Sequence, residues 1–235
     1  MNIATPKEEF LRTVRRALGK DIPSSGVQMA HSDEDRKSRA AEIKDLLAKG
    51  RPELLGVMAD VAARMGWKVY RVGSHLEAAE RVKALAQKKS VKAALHSSHP
   101  VLEKMGLAAA LPGVEMTPMS ASNDAEWTAL REKAAAADMG ITGADYAVAE
   151  TASCVFIARP GQSRMTSLLP PLHVAVIELG QVLASLDELF ALLAAGHVPF
   201  NYLNMVSGPS RTGDIEQTIV IGAHGPKEAH MVIIG

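Results

Sequence analysis

The chain has 235 residues, 47% of them hydrophobic and 22% charged, a composition that supports a buried core and excludes wholesale disorder. Lys+Arg and Asp+Glu are equal at 26 each, so no net field directs the protein to nucleic acid or to an anionic membrane. The single cysteine, Cys154, excludes an intramolecular disulfide and cannot by itself supply the four thiolates an iron–sulfur cluster needs.

At the N-terminus, Thr5-Pro6-Lys7-Glu8 combines a cap, a proline at the first helical position and an acid three residues after the cap. Phe10, Val14, Ala17 and Leu18 follow at helical spacing, and Gly19 ends the run. Lys20–Ala30 has no periodicity and reads as a linker, so residues 1–31 are expected to form a helical arm and linker before one α/β domain over 32–235. Met1–Arg16 has no apolar core of a secretory signal, and no stretch reaches the roughly 18–20 apolar residues of a spanning helix, so a cytoplasmic protein is expected.

A polar helix over Ser32–Ala48 leads into an alternation of helices and short apolar strands. Leu54, Leu55, Met58, Val61, Ala62 and Met65 form one helical stripe, and Trp67–Val72 reads as a strand. Ser74-His75-Leu76-Glu77 is a capping box, Val91–Leu95 a strand, and Asn123–Ala137 a helix with Trp127, Leu130 and Ala134 on one face. This alternation implies a mostly parallel sheet covered by helices. After Gly140 short apolar segments crowd together at Ala147–Val148, Cys154–Ala158, Leu172–Glu178, Tyr202–Val206, Thr218–Ile221 and His230–Ile234. One helix, opened by Ser185-Leu186-Asp187-Glu188, interrupts them.

The chemistry concentrates in two glycine-containing loops, Ser207–Glu216 and Gly222–Pro226. The first follows an apolar strand, and α/β proteins bind ligands beyond the carboxyl ends of their strands. Gly208 lets backbone amides approach an anion, Ser210 and Thr212 add hydroxyls, and Arg211 adds a charge-assisted donor. Asp214 and Glu216 stand two apart, on one face of an extended segment, where one could be a base or bind a cation. The plain alternative is a polar turn with an exposed acidic pair. In the second loop His224 lies between Gly222-Ala223 and Gly225-Pro226, placed either as an acid/base or as a structural residue.

Glu150 and Thr151 could contribute a carboxylate and a hydroxyl, or Glu150 could cap an element. His173 follows Pro170-Pro171 at a strand start, where a structural role is the simpler reading. His96-Ser97-Ser98-His99 has the spacing of two metal ligands without a third nearby, and chance explains it. No metal site is expected. There is no G-x-G-x-x-G after a strand, no P-loop and no nucleophile elbow.

The segments AETASCVFI (Ala149–Ile157), SLLPPLHVAVI (Ser167–Ile177), SGPSRTGDIE (Ser207–Glu216) and GAHGP (Gly222–Pro226), in this order, resemble the LUD domain family, as does the arm Glu8–Gly19. One departure stands out: the family usually has Gly and Thr where this chain has Ala152 and Ser153. The resemblance implies a fold similar to the ribose-5-phosphate isomerase and CoA-transferase group. It also implies a role in oxidising L-lactate to pyruvate beside iron–sulfur partner subunits, with no cofactor in this chain. It draws Glu150, Thr151 and His173 into one candidate pocket with the two loops. Glu150, Asp214, Glu216 and His224 are then the candidate catalytic residues, and Thr151, His173, Gly208, Ser210, Arg211, Thr212 and Gly225 the candidates for binding a small carboxylate or phosphate. A second reading is an independent isomerase- or CoA-transferase-like enzyme, with Glu150 or Glu216 as base or nucleophile and the Gly208–Thr212 amides as anion cradle.

Overall fold

A computed structural model of the chain describes residues 13–14, 16–17, 32–196, 202–215 and 218–235. Most of the expected arm and linker, and the carboxylate of Glu216, lie outside the described residues.

Two helices come first, α1 (Asp33–Lys49) and α2 (Glu53–Met65). Ser32 caps α1 with a reciprocal bond to Asp35, and Gly66 ends α2 in the left-handed conformation. Then follow β1 (Trp67–Val72), α3 (His75–Lys88), β2 (Ala93–His96), α4 (Pro100–Lys104), α5 (Leu107–Ala110), β3 (Glu115–Pro118), α6 (Asp124–Ala136) and β4 (Met139–Gly143). The second half holds β5 (Tyr146–Val148), β6 (Ser153–Ile157), α7 (Met165–Leu168), β7 (Leu172–Glu178), β8 (Val182–Leu183), α8 (Leu186–Ala194), β9 (Leu203–Val206), β10 (Arg211–Ile215), β11 (Thr218–Ile221) and β12 (Glu228–Ile234).

The main sheet has six strands in the order β1-β12-β7-β4-β2-β3, and every pairing in it is parallel. Its central strands β4 and β7 are buried almost throughout, which fits their continuous apolar sequence. One face is covered by α3, α4 and α5, whose Val82, Val101 and Leu107 pack on Val174, Val176 and Val232. The other face carries α2 and a four-stranded sheet, β8-β5-β6-β9, joined through Met58, Ala147, Cys154, Ala175 and Met231. A helical layer of α1 and α8 closes the far side of that small sheet through Ile43, Val155, Leu183, Leu189 and Leu192. Each such fully buried aliphatic side chain contributes about 1.5–3 kcal/mol. The layers are also tied by charge: Arg51 donates to both carboxylate oxygens of Glu188, at 3.0 and 2.8 Å, in a nearly closed environment.

The crossovers obey one rule of hand. The chain passes β1→β2→β3 over the α3–α5 face and returns β3→β4→β7 over the opposite face, through α6 and the small sheet.

Candidate functional site

The loop after β9 does not extend beyond a carboxyl end of the main sheet, as its sequence position suggests. β9 belongs to the small sheet, antiparallel to β6, and the segment after it reaches the amino edge of the main sheet, where Gly208 lies against the Met65 carbonyl just before β1. Gly222–Pro226 leads directly into the start of β12, at that same edge. The two segments therefore meet where the parallel strands begin. Nor is Ser207–Glu216 all loop: Arg211–Ile215 is β10, paired antiparallel with β11 across an irregularity between Thr212 and Ile215.

Ser210 joins the two segments. Its N–H donates to the Pro226 carbonyl at 2.9 Å, its carbonyl accepts from Gly222 N–H at 2.8 Å, and its hydroxyl accepts from His224 N–H at 3.3 Å. Gly208 sits at φ +129° against the carbonyl of Met65, a place where a side chain would collide with backbone. Pro209 and the Arg211 guanidinium lie over Gly66, and Gly225 packs beside Ser210. Arg211 and His224 are exposed, and Ser210 and Thr212 are half-buried. These residues bring hydroxyls, a guanidinium and an imidazole to one edge of the fold, groups of the kind that bind an anion.

A second group borders these residues. Thr151 and Ser153 hydroxyls lie 2.8 Å apart, and Ser153 and Ser207 hydroxyls 2.6 Å apart, a chain of three across the turn between β5 and β6 and the end of β9. Ala152 in that turn has φ +48°, a left-handed conformation that a glycine would adopt without strain. The Trp67 indole N–H donates to the Ala152 carbonyl at 3.1 Å. Next to Trp67, at 6.2 Å between ring centroids, is His173.

His173 is fully buried, with Nε2 2.8 Å from the Thr142 hydroxyl and the ring edge-on to Phe156. Nδ1 has no partner among the described residues. Burial, then the nearby His230, pushes its pKa down to about 3, so the ring is neutral at physiological pH. Burial also pushes the Cys154 thiol up, away from reactivity.

The sequence-derived candidates thus divide. Gly208, Ser210, Arg211, Thr212, His224 and Gly225 come together at the amino edge, with Thr151 bordering them through Ser153 and Ser207. His173 lies beneath, sealed in the core. Glu150 turns outward, and its carboxylate accepts from Leu186 N–H at 2.6 Å at the start of α8. That is the capping reading of this residue. Asp214 is placed in β10 by its backbone alone, and Glu216 lies outside the described residues. Sequence reasoning did not single out Trp67 or Thr142, because a strand-forming Trp and a Thr inside an apolar run carry no local mark of a site. Among the described residues no group of three or more His, Cys, Asp or Glu could hold a metal ion, and no helix is long and apolar enough to cross a membrane.

Comparison with known proteins agrees with this architecture. The chain is similar to lactate utilization protein C of Halalkalibacterium halodurans, 28% identical over 233 residues that cover 97% of each chain. It is 42% identical to lactate utilization protein C of Exiguobacterium over 116 residues, 45% of this chain and 48% of that one. A segment of lactate utilization protein B of Shouchella clausii is 33% identical over 111 residues, 45% of this chain and 22% of the relative. The crystal structure of a DUF162 family protein from Deinococcus radiodurans has the same fold, with a TM-score of 0.53 at 19% identity, over 78% of this chain and 97% of that one. The LUD domain pattern itself matches residues 55–234, from α2 to the end of β12, and the chain belongs to the LUD domain family.

Proposed function

We propose that this chain is a non-redox subunit of a lactate-utilising system, supporting oxidation of L-lactate to pyruvate together with iron–sulfur partner proteins. The observation that carries this reading is the match across 97% of both chains to a protein named for lactate utilization, with a related segment in a B protein of similar name. The thiol inventory agrees with the division of labour: one buried cysteine cannot ligate a cluster, so electrons would pass through partners. The amino-edge strip of Ser210, Arg211, Thr212 and His224 would take the carboxylate of a small acid.

The test is reconstitution. Purified chain alone is expected to oxidise no lactate, and activity is expected only when the iron–sulfur proteins are added. Lactate or pyruvate should raise the thermal midpoint, and Ser210→Ala or His224→Ala should abolish that rise. Oxidation by the isolated chain at a physiological rate would end the proposal.

A further inference from the structure

Where two adjacent parallel strands pass the chain to opposite faces of a sheet, a crevice opens beyond their carboxyl ends, and α/β proteins bind ligands there. In this sheet that place lies between β2 and β4. From β2 the chain enters α4 and α5 on the face of Val174 and Val232. From β4 it turns to the other face, where Ala144 and Ala147 join Ala175 and Met231. This edge is opposite the one that holds Ser210 and His224.

The crevice has a built floor. The Ser97 hydroxyl accepts from Gly143 N–H at 3.2 Å, and the His99 ring lies against Gly143, where a side chain would strike it. Asp145 accepts from Ile157 N–H at 2.7 Å, from Gln162 Nε2 at 3.0 Å and from Arg159 at 2.6 Å, and lies 3.9 Å from His99 Nε2. Beside this floor, on the side of β2, α4, α5 and β3, a cleft of about 390 Å³ opens, lined by His96, Ser98 and Glu103 and by Leu102, Leu107 and Met116.

The polar groups define what fits. His96 Nδ1 is 3.3 Å from the Ser97 carbonyl, an oxygen that only accepts, so that contact takes the Nδ1 hydrogen and leaves Nε2 as the other polar atom of the ring. Glu103 adds a carboxylate that forms no ion pair among the described residues. The nearby Arg159 is engaged with Asp145, and Lys104 with Glu178. The cleft therefore presents acceptors beside apolar walls.

We propose that this cleft binds a small aliphatic molecule through a hydrogen-bond-donating head, a hydroxyl or an ammonium group. The head sits at His96 and Glu103, and the alkyl body lies among Leu102, Leu107 and Met116. A carboxylate head would face Glu103 without a free cation to meet it. The assignment does not depend on the lactate reading or on the amino-edge strip.

The test is an NMR titration of the isotope-labelled full chain with 1-propanol, 1-butanol, 1-hexanol, hexylamine and hexanoate. Affinity for the alcohols is expected to rise about fourfold per added methylene, with shifts centred on residues 96–109. Hexanoate is expected to bind at least tenfold more weakly than hexanol, and comparison of hexanol with hexylamine identifies the preferred head. Ala109→Trp, or Ala108→Trp should the first fail to fold, places an indole in the cleft from an exposed position and should abolish binding, whereas Ser210→Ala should leave it unchanged. Affinity that does not rise with chain length, hexanoate binding as tightly as hexanol, binding that survives a folded tryptophan variant, or shifts centred on Ser210 and His224 would each overturn the proposal.

Discussion

The Trp67 indole donates to the carbonyl of Ala152 at 3.1 Å, so the first residue of β1 anchors a left-handed turn 85 residues away. The turn carries the Thr151–Ser153–Ser207 hydroxyl chain, and the anchor keeps that chain beside the Ser210 clamp.

Ala152 holds a conformation that costs an L-residue about 1–2 kcal/mol, while its buried methyl and its restriction of the unfolded chain each contribute about 0.5–1 kcal/mol. These terms nearly cancel, so Ala152→Gly is expected to change stability by less than about 1 kcal/mol. Ala175→Gly, equally buried but inside β7, lacks the strain relief and should cost at least about 1 kcal/mol more. Urea midpoints of the two variants decide the matter.

His173 makes the protein acid-sensitive. Its folded pKa, pushed down to about 3 by burial and then by His230, lies below the ordinary 6.5. The unfolded chain therefore binds a proton that the native state refuses, and stability falls as pH drops below 6.5. Between pH 8 and pH 5 this residue alone removes about 2 kcal/mol, the slope approaching about 1.4 kcal/mol per pH unit below 6.5. His99 and His230, both also lowered chiefly by burial, steepen the slope. Denaturant unfolding of His173→Gln at pH 7 and pH 5 should give a smaller difference than the parent shows. The lowered carboxylates Glu178 and Glu228 act only further down, below the ordinary carboxylate value, and do not confuse this window.

Arg51 and Glu188 are 16% and 8% exposed, so removing either strands a charge. Glu188→Ala also deprives Ala184 N–H of its acceptor at 2.7 Å, and a loss of about 3–5 kcal/mol is expected. Arg51→Leu with Glu188→Leu should cost clearly less than the sum of the single changes. Additivity in that double-mutant cycle would mean the pair is not coupled.

Glu150 offers a test of role. As a cap on α8, Glu150→Ala should cost about 0.5–2 kcal/mol, whereas Glu150→Gln, which keeps an accepting oxygen, should cost less. In the reconstituted lactate assay, Glu150→Gln is expected to retain activity within about twofold if the carboxylate only caps. A loss of activity without loss of stability would return Glu150 to the catalytic set.

Local signals determined much of the secondary structure. Ser74 and Ser185 each accept from the N–H three residues on, as their spacing to an acid implied, and Ser32 and Asn123 do the same, because capping is a contact within one turn. The runs Trp67–Val72, Leu172–Glu178 and Thr218–Ile221 form strands with the expected limits, and Leu172–Glu178 is buried nearly throughout, as its unbroken apolar sequence requires. The boxes at Ser74 and Ser185 are only half formed: Glu77 accepts from Gly73 instead, and Glu188 turns to Arg51 and Ala184. Only the Arg51 contact, 137 residues away in sequence, is a tertiary one.

The two glycine-containing segments near the C-terminus were legible as unusual because so few of their residues serve a core or a regular turn. Which edge of the sheet they occupy was not, since it depends on β9 pairing with β6 rather than joining the main sheet. The same holds for Glu150, whose partner Leu186 is 36 residues away, and for His99 and Asp145, which meet only because β2 and β4 are neighbours. Sequence spacing encodes contacts made within a turn or along a strand. Strand order, and with it the place of both the amino-edge strip and the carboxyl-edge cleft, is set by which apolar faces pack together across the whole chain.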